Sequence, residues 1–254
     1  MKLLFAARMA CPWLLVPITR LASFVTRWTV FHDLALRRLM SFCCHNSDYV
    51  LRGTLSTADL LDCELHFYPD ADLAGDHSST RSISGLWVEL VSSDGLRSWP
   101  VAWSSKKQTA TASSTCEAEM LSLSGGLRRE TLPSLTLLEL LLGRSVKMVT
   151  FEDNTATIQC IKSGYSPALR HMARTARVSL GFLNEVFYGT VEDENGEIVQ
   201  DDLIKPVLQH CPTARMKADL FTKSLDRIKF IQALELIGVS KTMALAFAVA
   251  RFGS

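Results

Sequence analysis

A chain of 254 residues holds one large domain, or one domain of ordinary size with a partner segment. Its 48% hydrophobic and 21% charged residues exclude a globally disordered chain. The balance of 27 Lys plus Arg against 26 Asp plus Glu excludes a highly basic nucleic-acid coat, so any nucleic acid must be held by shape, metal and a few local cations. Met1 to Val25 has the basic residues Lys2, Arg8 and Arg20 and no acid, as a leader peptide would. Arg8 interrupts the apolar run and Pro12 and Pro17 follow, so the expectation is a packed helical fragment that is too broken to span a bilayer. Helical spacing runs from about 18 to 44, with arginines on the polar side.

From about residue 64 the period changes to that of strands: Glu64–Tyr68, Gly85–Val91 and Trp99–Trp103, with Asp94-Gly95 as a hairpin signal between the last two. Three successive antiparallel strands are predicted. Ser114 with Glu117 is a capping-box pattern opening a helix that runs to about Leu142, with Pro133 kinking or restarting it. Gly125-Gly126 inside that helix costs on the order of 2 kcal/mol relative to alanine. A short buried strand (Val146–Phe151), a helix from Asn154 to Ser163 stopped by Gly164, and a helix from Leu169 to Val186 follow. An acidic turn over 191–197, a strand near Val207–His210 and a helix carrying Asp219 complete the order. That order predicts an α/β fold, a mixed five-stranded sheet with helices on both faces.

Seven cysteines include no C-x-x-C pair, and Cys43-Cys44-His45 has no second half to complete a zinc site. Reduced thiols in an intracellular protein are expected.

The acidic residues carry more information. Asp70 closes an apolar strand, Glu119 lies on a helix, Asp153 follows a buried strand, and Asp219 lies on a second helical stretch. Each has a plain structural role available. Asp70 and Asp72 suit a turn, Glu117 is the capping-box partner, Asp153-Asn154 suits a helix N-cap, and Asp219 suits a solvated helix. As a set they are what phosphodiester hydrolysis by two metal ions requires, because Mg²⁺ takes oxygen ligands and relieves the repulsion among crowded carboxylates.

Phe67-Tyr68-Pro69-Asp70-Ala71-Asp72, Thr80-Arg81-Ser82-Ile83-Ser84-Gly85, Trp103-Ser104-Ser105-Lys106-Lys107-Gln108, Ser114-Thr115-Cys116-Glu117-Ala118-Glu119, Glu152-Asp153-Asn154 and Ala218-Asp219-Leu220-Phe221-Thr222-Lys223 resemble, in order, the ribonuclease H domain of copia-type retrotransposon polyproteins. The resemblance implies a ribonuclease H-like fold over 61–240, preceded over 1–60 by a helical remnant of the reverse transcriptase and followed by a tail over 241–254. It implies Asp70, Glu119, Asp153 and Asp219 as catalytic ligands of two Mg²⁺ ions, with Mn²⁺ as a substitute, and Arg81, Lys106 and Lys107 as phosphate contacts. His171 falls near a histidine of the family, and a structural role is expected for it. The implied partners are an RNA–DNA hybrid and the reverse transcriptase portion of the same polyprotein, with no membrane. No Y-x-D-D polymerase motif is present. Pro69 in a central strand, Leu73 and Met120 in place of common aromatics, and Arg177 in place of a frequent His depart from the family pattern. These departures open a second expectation, a catalytically inactive ribonuclease H-like module that binds nucleic acid or is only structural.

Overall fold

The computed structural model describes residues 2–76, 80–192, 198–199 and 205–242. The centre of the acidic turn (193–197) and most of the expected tail (243–254) lie outside the described residues.

Three helices come first: α1 (Lys2–Met9), α2 (Leu15–Ala22) and α3 (Val30–His45), followed by β1 (Tyr49–Leu51). The continuous helical pattern from 18 to 44 is broken by a 3-10 turn at Val25–Arg27, because Thr29 takes extended backbone and caps α3 reciprocally with His32. The sheet strands β2 (Glu64–Asp76), β3 (Arg81–Val91) and β4 (Ser98–Lys107) form the expected antiparallel meander, and Gly95 turns the second hairpin at φ +72°. All three are longer than the apolar runs that announced them.

α4 (Thr115–Gly126) is followed by a π turn (Leu127–Thr131) and α5 (Leu132–Leu142). Pro133 stands at the start of α5, where its missing N–H costs least. Gly126 earns its place by contact: a Cβ there would meet Phe67 Cζ at 2.8 Å, so the bare backbone lets α4 press onto β2. Next come β5 (Met148–Glu152), α6 (Thr155–Ser163), a single turn α7 (Met172–Thr175) and α8 (Leu180–Tyr188). The helix expected over 169–186 is therefore two pieces, divided by Arg177 at φ +57° and restarted by the Ser179 cap. A two-residue ladder pairs β6 (Val191–Glu192) with β7 (Ile198–Val199); β8 (Val207–His210), α9 (Arg227–Leu236) and β9 (Val239–Lys241) close the described chain. Asp219 lies on a 3-10 helix (Lys217–Phe221), not an α-helix.

The main sheet has the order β4-β3-β2-β5-β8, with β5 parallel to both β2 and β8. Strand alternation sends Leu65 and Phe67 to one face and Tyr68 to the other. The first face packs with Met120, Leu123, Ile161 and Leu183 from α4, α6 and α8. The second packs with Trp13, Leu15 and Ile18 of the N-terminal helical segment and with Phe221, Leu220 and Leu234. This is the mixed five-stranded α/β sheet, covered on both faces, of a ribonuclease H-like fold.

Candidate active site

Asp70 lies on β2 opposite Gly85 of β3 and is 1% exposed. Gly85 matters here, since a Cβ at that position would meet Thr222 Cγ2 at 2.6 Å and Phe221 Cβ at 2.9 Å. The absent side chain lets the Lys217–Phe221 turn settle on the sheet, and the Thr222 hydroxyl then donates to the Asp70 carboxylate. Ser122 of α4 donates to the carbonyls of Asp70 (2.8 Å) and Gly85 (3.2 Å), fastening helix to strand at the same place.

α4 begins where the Ser114 hydroxyl accepts from Glu117 N at 3.2 Å. The other half of the expected capping box is replaced. The Glu117 carboxylate accepts instead from Ser113 N (2.7 Å), and it pairs with His171 Nε2 at 3.1 Å. Glu119, half a turn on, is 3% exposed, and its Oε2 has no hydrogen-bond partner among the described residues. Asp153 follows β5. The N-cap of α6 is Asn154, whose Oδ1 accepts from Ala156 N and Thr157 N, so Asp153 is free of that task and accepts from Thr213 Oγ1 at 3.1 Å.

Asp70, Glu119 and Asp153 each bring a carboxylate oxygen to within 4.8 Å of the other two. They line an open cavity of about 500 Å³ together with Asp72 and Lys223. Asp219 stands beside this group, not within it. Lys223 Nζ donates to Asp219 Oδ1 at 2.6 Å and reaches Asp70 Oδ1 at 3.4 Å, linking the fourth carboxylate to the first through an ammonium. Arg81, Lys106 and Lys107 do not line the carboxylate cavity. Arg81 is exposed at the start of β3, Lys106 pairs with Glu130 at 3.3 Å, and Lys107 pairs with Asp76.

The crowding has an electrostatic consequence. Burial, reinforced by Asp70, Glu152 and Asp153, pushes the Glu119 carboxyl up to about 10. Burial likewise raises Asp70, against the pull of Lys223. Glu152, fully buried beside the cavity, is lifted to about 8 by burial, although Asn154 N donates to it. Burial works against the Lys223 charge, yet Asp70 and Asp219 hold its pKa above the usual lysine value. Glu152, Thr222 and Lys223 are the neighbours that sequence reasoning assigned no role. Two of them stood in the quoted Asp219–Lys223 motif, and the signal lay in that adjacency.

No family model matches the chain. It is 29% identical over 231 residues to "Retrovirus-related Pol polyprotein from transposon RE2" of Arabidopsis thaliana, covering 91% of this chain and 14% of that protein. It is 28% identical over 225 residues to the "Retrovirus-related Pol polyprotein from transposon RE1" of the same plant, covering 88% and 13%. "Secreted RxLR effector protein 161" of Plasmopara viticola is 34% identical over 114 residues, 44% of this chain and 72% of that protein. The chain spans about one-seventh of the length of the two polyproteins. It belongs to the sequence family of this shorter relative, and it is similar over about nine-tenths of its own length to the retrovirus-related Pol polyproteins of transposons.

Proposed function

We propose that the chain is a metal-dependent endonuclease segment of a retrotransposon Pol polyprotein, cleaving the RNA strand of RNA–DNA hybrids. One observation carries the reading: three carboxylates from β2, α4 and the end of β5 converge within 4.8 Å. The donor set is all oxygen, which suits Mg²⁺ or Mn²⁺ and not a thiol-preferring ion. The buried, unpartnered Oε2 of Glu119 is an acceptor that a cation would satisfy.

Asp70, Glu119 and Asp153 are the residues to hold Mg²⁺, with Asp219 completing the ligand set for a second ion. When bound, the ions activate a water and stabilise the leaving oxygen of a phosphodiester. The remaining work belongs to the chain. Thr222 fixes the Asp70 rotamer, Asn154 takes over helix capping so that Asp153 faces the cavity, and Ser122 holds α4 at its distance from β2. Hybrid recognition through 2′-hydroxyls and the minor groove, and association with the reverse transcriptase portion of the polyprotein inside the cell, belong to the same reading. Among the described residues no helix is long and apolar enough to cross a membrane.

The test is incubation of the purified chain with labelled RNA–DNA hybrid and Mg²⁺ beside Asp153→Asn. Cleavage by the parent and none by the variant supports the enzyme. Absence of cleavage by both, in protein that is folded by circular dichroism, rejects the enzyme for a silent module.

A further inference from the structure

Arg128, Arg129 and Arg177 line one cleft of about 320 Å³, and among the described residues none of them forms an ion pair. Three guanidiniums gathered in a concavity without counter-charge repel one another, and among the described residues no carboxylate pairs with them to offset that cost. Their backbone is also unusual. Arg128 and Arg129 lie in the π turn, and Arg177 is a large side chain at φ +57°. Local irregularities of this kind concentrate where function selects them.

Two further details belong to the same cleft. A Cβ on Gly125 would meet Arg129 Nη2 at 2.7 Å, so the guanidinium lies over bare backbone. Gln108, 7% exposed, lines the cleft and donates through Nε2 to the Ala118 carbonyl (2.8 Å) and to Ser84 Oγ (2.9 Å). A carbonyl only accepts, so the amide orientation is fixed and Gln108 Oε1 is left as a buried acceptor with no partner. Arg128 is planted by its guanidinium carbon, 4.1 Å from the Phe182 ring centroid.

We propose that this cleft is a second nucleic-acid contact, in which Arg128, Arg129 and Arg177 hold the phosphodiester backbone. The inference rests on the hybrid-substrate reading above and adds to it a grip separate from the carboxylates. Arg128 lies nine residues beyond Glu119, about 14 Å along the helix direction, or roughly four nucleotide steps of a duplex strand. Lys106 and Lys107 also border the cleft, but Glu130 and Asp76 already pair with them.

The experiment is fluorescence anisotropy of the full chain with a labelled 20-base-pair RNA–DNA hybrid in EDTA, titrated with salt, with a DNA duplex of equal sequence as the second arm. The Arg129→Ala/Arg177→Gly double variant should bind the hybrid roughly tenfold more weakly and lower the log–log salt slope by about 2. Arg177→Gly alone should melt higher than the parent, because glycine accepts the positive φ, while binding less tightly. Mn²⁺ binding measured by calorimetry should be unchanged in the double variant, and Asp153→Asn should leave the salt slope unchanged. An unaltered slope in the double variant, or a parent that binds neither duplex, overturns the cleft whatever the cleavage result. Arginine-dependent binding without cleavage keeps the cleft and removes the nuclease.

Discussion

Replacing Glu119 by glutamine should stabilise the metal-free protein and remove most of its response to divalent ions. In the fold this carboxyl is 3% exposed, has an oxygen with no hydrogen-bond partner, and shares a 4.8 Å cluster with Asp70 and Asp153. At an effective dielectric near 20, two ionised carboxylates at that separation repel by about 3 kcal/mol. The protein avoids burying a charge, and the repulsion that would follow, by keeping the proton, as the rise from 4.5 to about 10 expresses. The unfolded chain ionises near 4.5, so between that value and about 10 it binds fewer protons than the folded chain. Stability from this group is therefore complete below pH 4.5 and declines as pH rises, by up to about 1.4 kcal/mol per unit. At pH 7 the accumulated loss approaches about 3 kcal/mol, and glutamine, a neutral isostere, does not incur it.

Urea denaturation at pH 5, 6 and 7 in EDTA measures the gap between parent and Glu119→Gln, which should widen with pH in favour of the variant. At Mg²⁺ a hundredfold above its dissociation constant the parent should gain about 2.7 kcal/mol while the variant gains little, so the order narrows or reverses. A variant that is equally stable or weaker at pH 7 in EDTA, or a gap that does not grow with pH, refutes the argument that burial and crowding keep this carboxyl protonated.

Gly126→Ala should destabilise by about 1–3 kcal/mol despite its better helix propensity, since the new methyl meets the Phe67 ring, whereas Gly125→Ala meets only the movable end of Arg129 and should be neutral or stabilising by up to about 1 kcal/mol; urea midpoints check both. Lys217→Met leaves Glu89, 1% exposed with an unpartnered Oε2, without its cation and should cost about 3–5 kcal/mol, much of it recovered in the Lys217→Met/Glu89→Gln double variant by the same measurement. Thr222→Val removes the hydroxyl that donates to Asp70 and should weaken Mn²⁺ binding, read by calorimetry, about 10–100-fold with the fold retained.

The meander was legible because its signals are local. Period-two runs, Asp94-Gly95 and the Asn154 and Gly164 boundaries of α6 each act within a few residues. The two broken helices show where local reading stops. Nothing in the apolar spacing of 169–186 marks Arg177 as left-handed, and the Thr29 cap competes unseen with a continuous helix over 18–44. In the candidate site, three of the four acids named from the sequence come together and Asp219 stands beside them, but what surrounds each was not legible. Thr222 reaches Asp70 across a separation of 152 residues because Gly85 lacks a side chain, which is a packing fact. The Gly125-Gly126 pair read as a helix defect for the same reason: propensity counts the backbone cost, and only the fold supplies Phe67 and Arg129 as its explanation.

Pro69 shows how such a departure fits the fold. Leu65 N donates to Lys147 O, so the odd residues of β2 direct their nitrogens toward β5, Pro69 among them. The β2–β5 register ends at Phe67 opposite Thr150, while pairing with β3 continues through Pro69 opposite Leu86. The missing N–H thus falls on the side and at the level where the parallel ladder has already stopped, and the antiparallel ladder loses nothing. One residue later comes Asp70, and past the end of β5 comes Asp153. A continued β2–β5 ladder would draw the two strands together where their carboxylates have to stand apart around a common centre. A proline that cannot extend the ladder keeps that gap open, so the departure that counted against the site in sequence is compatible with the geometry on which the site depends.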